Sequence, residues 1–183
     1  VALSFRSAPF GPKHAYQAAQ HWTRYLAAAE AAGAALGERA FLVIRYEDLL
    51  EDAERELRRI CAFLAEPYEA AMLTFYRQEV DYPTDARNRE ELRRPVRGDN
   101  REKWRTRLTA REQRIFEALA GDSLERYGYP RVVSRPRIGG WEALSCRYLE
   151  HPPRRMLAML KNRAGYGFAL ETARLKLSLP RLD

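Results

Sequence analysis

The apolar positions of this chain fall into a few runs of distinct period. Phe41, Leu42, Val43 and Ile44 form a short unbroken run, the pattern of a strand covered on both faces. Polarity then changes at once, at Arg45, Tyr46, Glu47 and Asp48. Asp52 stands where it can cap a helix, and Leu57, Ile60, Cys61 and Leu64 recur at i, i+3, i+4 and i+7. Phe41 to Leu64 therefore predicts a buried strand, a polar corner and an amphipathic helix. In open α/β sheets ligands bind outside the carboxyl ends of strands, and Tyr46 stands at such an end.

The same reading predicts the other elements. Gly11-Pro12 breaks the chain, and His14 to Leu36 reads as one helix with its stripe at Ala15, Ala18, Ala19, Trp22, Leu26 and Ala29. Gly33 and Gly37 mark its end, and Trp22 is expected to pack. Glu69 to Arg77 predicts a short helix, and Asp81 to Asn100 is the least regular stretch. Thr109 with Glu112 forms a capping box, followed by Ile115, Phe116, Leu119 and Tyr127 on one helical face, with Gly128 as the stop. Pro136, Gly139 and Gly140 suggest a linker. Pro152 to Lys161 and Phe168 to Leu179 then read as basic amphipathic helices.

Length and composition narrow the class. A chain of 183 residues with 46% hydrophobic content suits one domain. It has no apolar run of membrane-spanning length and no signal peptide. It opens with Val1 inside what reads as a structured segment, so the expectation is a fragment lacking its upstream part. Cys61 and Cys146 are too few for a disulfide framework, and Cys61 on an apolar helix face predicts a reduced core thiol. The net charge of +7 is uneven: Val1 to Pro130 holds 21 basic and 21 acidic residues, Arg131 onward 11 and 4. A neutral body argues against a nucleic-acid partner. The basic tail suits an anionic membrane surface or docking on the rest of the protein, and docking is the preferred reading. A cytoplasmic location is expected, with membrane association through the tail as the second option.

Candidate chemistry comes from few positions. Arg87, Arg89, Arg93, Arg94 and Arg97 crowd the irregular stretch, and guanidinium forks suit phosphate and sulfate oxygens. Glu47 and Asp48 are expected to accept hydrogen bonds from the following turn and from arginines, since nothing keeps one of them neutral as a general acid. His14 and His21, seven apart with no carboxylate or cysteine nearby in sequence, predict a solvated face over a metal site.

Three blocks carry a resemblance: Val1-Ala2-Leu3-Ser4, the Arg45-Tyr46-Glu47-Asp48-Leu49 corner with its helix ending Ala62-Phe63-Leu64, and Arg94 to Leu108 around Trp104. Together they resemble the sulfotransferases that use 3′-phosphoadenosine-5′-phosphosulfate (PAPS), in the branch of tyrosylprotein sulfotransferases and many bacterial members. The resemblance spans roughly Val1 to Pro130. It implies the carboxy-terminal part of a P-loop, nucleotide-kinase-like α/β fold, mostly helical with one or two parallel strands. Residues 1–133 would be that part and 134–183 a basic tail. It implies Ser4 at the 3′-phosphate of the cofactor, Tyr46 against the adenine, and Arg97, Gly98 and Lys103 in a basic loop anchored by Trp104. Cytosolic members run Arg-Lys-Gly where this chain has Val96-Arg97-Gly98, which leaves open whether Arg94, Arg97 or Lys103 touches phosphate.

No glycine-rich phosphate loop occurs in these 183 residues. The resemblance therefore places that loop and the catalytic base on a missing amino-terminal half, assigns no catalytic residue here, and expects this chain alone to be inactive. It implies PAPS as co-substrate, no metal, and a small-molecule, carbohydrate or protein acceptor. The alternatives are another nucleotide-dependent transferase of the same fold, such as a small-molecule kinase, or a non-catalytic helical anion-binding module.

Overall fold

The structure, a computed structural model, describes residues 2–8, 10–37, 39–78, 90, 92–96, 98 and 101–161. The chain divides into two compact units, Val1–Ala27 with Arg107–Asp183, and Ala28–Thr106.

In the first unit, α1 (Ala2–Ser7) leads through a turn to α2 (Ala15–Leu36), whose early turns bury Ala15, Tyr16, Ala18 and Ala19. The turn is fixed by Lys13, a buried ammonium that donates to the carbonyls of Phe5 at 2.6 Å, Phe10 at 2.8 Å and Ala8. All three of its protons are spent on backbone acceptors around the end of α1. Ala110–Arg126 forms a long helix, labelled α6 below. It starts on the predicted capping box: Thr109 accepts from the Glu112 N–H while Glu112 reaches back to the Thr109 N–H at 2.9 Å. It ends at Gly128, whose φ of 74° is the left-handed conformation that closes a helix without steric cost. Ile115 of this helix is fully buried and packs with Ala15, Tyr16 and Cys146, with Leu119, Ile138 and Ala143 at the margin. Trp22 packs as expected, 5.9 Å from the Phe116 ring and 6.3 Å from Tyr129.

The linker expected at Gly139-Gly140 is instead the start of a helix. α7 (Gly140–Leu144) runs into a wider π-helical segment, Ser145–Glu150, and on into α8 (His151–Lys161) with αR geometry at each junction. α8 realises the first basic helix predicted for the tail. The second falls outside the described residues.

In the second unit, α3 (Tyr46–Glu51) and α4 (Ala53–Leu64) follow residues 41–45. Asp52 caps α4 as predicted, accepting from the Arg55 N–H at 3.0 Å, and Cys61 is a buried free thiol. Ala70–Arg77 is a 3₁₀ helix, and α5 (Lys103–Arg107) closes the unit.

The strand predicted over Phe41–Ile44 is not formed, and no strand occurs among the described residues. A strand needs a neighbour for its N–H and C=O groups. Phe41 packs on a helix instead: a Cβ on Gly33 of α2 would stand 2.4 Å from the Phe41 ring, so the missing side chain is what admits Phe41. An apolar run laid over a helix has the same sequence signature as a covered strand. The polar corner likewise proves to be α3, with Arg45 as its N-cap residue.

Candidate functional site

Tyr46 is the first residue of α3 and its side chain is 53% exposed, so a flat ring is offered to solvent at a helix start. Arg45, just before it, lies 3.8 Å from Asp48, in line with the expectation that this acid serves a neighbouring arginine. At the far end of the same helix sit Gly98 and Arg101. A Cβ on Gly98 would stand 4.0 Å from the Leu50 carbonyl oxygen, and Arg101 pairs with Glu51 at 3.0 Å. Five steps of helical rise put the Tyr46 and Glu51 backbones about 7.5 Å apart along the axis. That distance is within the span of a nucleotide.

Lys103 opens α5 two residues after Arg101, and Trp104 beside it is half-buried, with the Arg105 guanidinium 4.9 Å from its ring centre. Arg94 pairs with Glu90. The structure thus brings Tyr46, Gly98 and Lys103 into one unit. Arg97 lies outside the described residues, as do Arg87 and Arg89. Ser4 belongs to the first unit, where it is the third residue of α1 and exposed, inside the helix and not at the cap position. A cleft in the same unit is lined by Ala2, Arg6, Lys13, His14, Leu108 and Glu112. Its cations are engaged by protein: Lys13 by carbonyls, Arg6 by Glu112 at 2.6 Å. Burial would raise the Glu112 pKa, but bonds from Thr109 and the charge of Arg6 hold it below the usual value.

The first unit also contains a polar cluster that sequence spacing did not reveal. His14, expected on a solvated face, is buried, and its Nε2, the Cys146 thiol and a Glu150 carboxylate oxygen lie within 4.8 Å of one another. These residue types can ligate zinc. Their hydrogen bonds give a different account. His14 Nδ1 accepts from the Tyr16 N–H at 3.2 Å, which leaves the ring proton on Nε2, and Nε2 donates to Glu150 at 3.2 Å. Arg111 grips both Glu150 oxygens, at 2.8 and 2.9 Å, and holds that carboxyl down at about 2. Burial lowers the His14 pKa and raises that of the Cys146 thiol, so both are neutral near pH 7. An ion here would have to displace the Nε2 proton, the arginine and the Tyr16 bond together. The cluster ties α2, α6 and the π-helical segment to one another.

Residues 1–70 match the model of the sulfotransferase family. The matched stretch contains Ser4, Tyr46 and the α3–α4 segment. No curated protein and no solved structure matches the chain.

Proposed function

We propose that this chain is the adenosine- and 3′-phosphate-gripping part of a PAPS-dependent sulfotransferase, with a P-loop-like α/β fold in the whole enzyme. The observation that carries this reading is the exposed Tyr46 ring at the head of α3, inside the family match, with Gly98 and Arg101 set against the same helix. An adenine stacks on such a ring in any register, and a neighbouring basic loop suits an anionic ribose phosphate. Sulfuryl transfer, like phosphoryl transfer, depends on in-line positioning and on stabilising the equatorial oxygens. The base and the phosphate loop would come from chain outside these 183 residues, and the acceptor would be a hydroxyl or amine.

Calorimetric titration with adenosine 3′,5′-bisphosphate tests this. Binding is expected, with weaker binding of adenosine 5′-phosphate and no competition by ATP. Preference for ATP with Mg²⁺ would indicate a kinase-like protein instead. Binding to any polyanion in a strongly salt-dependent way, with no nucleotide preference, would indicate a non-catalytic anion-binding module.

A further inference from the structure

We propose that residues 149–160 present a face that lies on the surface of an anionic lipid membrane. Leu149, Met156 and Leu160 recur at i, i+7 and i+11, flanked by Leu157 and Met159, and each of the five is at least 41% exposed. A helical period puts the four residues of α8 on one side, and Leu149 stands exposed in the π-helical segment just before them. His151 and Ala158, on the other side, are the half-buried positions of α8. The helix is thus amphipathic with its polar side toward its own unit and its apolar side turned outward.

The charges are sorted in the same sense. Glu142 and Glu150 are the only acids between residues 140 and 161, and both turn inward. Arg114 holds Glu142 at 2.7 Å and Arg111 holds Glu150 at 2.8 Å. Among the described side chains of that stretch the exposed charged ones are Arg147, Arg154 and Arg155, with Arg154 also 3.7 Å from Glu150. Exposed apolar area with only positive charge beside it is complementary to a surface that is greasy and negative together. A second copy of the chain would bring the same arginines to the contact and no exposed acid from this stretch. Trp141 and Tyr148 extend the exposed row upstream, at 79% and 60%, and such side chains favour the membrane–water boundary. No helix among the described residues is long and apolar enough to cross a membrane. α8 spans about 16 Å, so it would lie in the interface plane.

The experiment is co-sedimentation of the 183-residue chain with phosphatidylcholine vesicles, with and without phosphatidylglycerol. Binding is expected only to the anionic vesicles and should weaken as salt rises. Met156→Asp with Leu160→Asp should abolish it. Arg155→Gln should weaken it about fivefold. All three side chains are exposed, so unchanged far-ultraviolet circular dichroism is expected in the variants. Three results would overturn the proposal: no binding by the intact chain, binding untouched by the double substitution, or self-association of the chain that the double substitution removes.

Discussion

Tyr46, the residue proposed to stack on adenine, is half exposed at the first position of a short helix. Tyr46→Ala should weaken binding of adenosine 3′,5′-bisphosphate by about 1–3 kcal/mol with little change in melting temperature, because the ring contributes little to the core. Titration calorimetry alongside thermal melting reads both. His14 lies at the opposite extreme, buried and bonded on both nitrogens. Burial lowers its pKa, and that of His151, below the ordinary 6.5. The unfolded chain therefore takes up these protons first as pH falls, so stability declines below about 6.5. Glu150 acts in the same sense further down: its contribution is full above 4.5 and fades as pH drops toward 2. Melting temperature should fall in two stages on acidification, and His14→Gln should flatten the first. A profile level from pH 7 to 5 would contradict this. None of this was legible at His14, because Glu150 lies 136 positions away in sequence.

At the scale of elements, local chemistry was readable wherever it acts within one turn. Asp52 and the Thr109–Glu112 box start α4 and α6 as their side chains dictate, and the spacing of Ala15, Ala18 and Ala19 marks the buried face of α2. Two elements were misread for physical reasons. Phe41–Ile44 forms no strand and Phe41 lies on a helix, and single-sequence pattern cannot separate that from burial in a sheet. The 140–150 helix was hidden by its two glycines and by the π-helical turn, which breaks the 3.6-residue period. The Gly33–Phe41 contact carries a prediction of its own. Gly33→Ala gains about 1 kcal/mol of helix propensity but sets a methyl into the Phe41 ring, and overpacking costs about 1–3 kcal/mol. A lower melting temperature is expected, recovered when Phe41→Leu is added. Stabilisation by Gly33→Ala alone would mean that the ring has room to move.

For the molecule as a whole, composition located the positive charge without saying what it faces. The structure adds the direction: in residues 140–161 the acids turn inward to Arg111 and Arg114 and the exposed charges are basic. The site reading makes a matching statement about activity. If, as proposed, the base and phosphate loop come from chain outside these residues, the purified chain should bind adenosine 3′,5′-bisphosphate yet form no sulfated acceptor from PAPS. Measurable turnover would require a base among the residues present.

The wide turn at Ser145–Glu150 acts as a spacer that sets the angular phase of everything after it. Six residues at its wider winding turn the chain through about the same angle as five ordinary α-helical ones, so removing one residue from it would restore α-winding with the distal helix kept in phase. Met156 and Leu160 would still face solvent, whereas the same single-codon deletion early in α8, where no slack is stored, would swing them by about 100°.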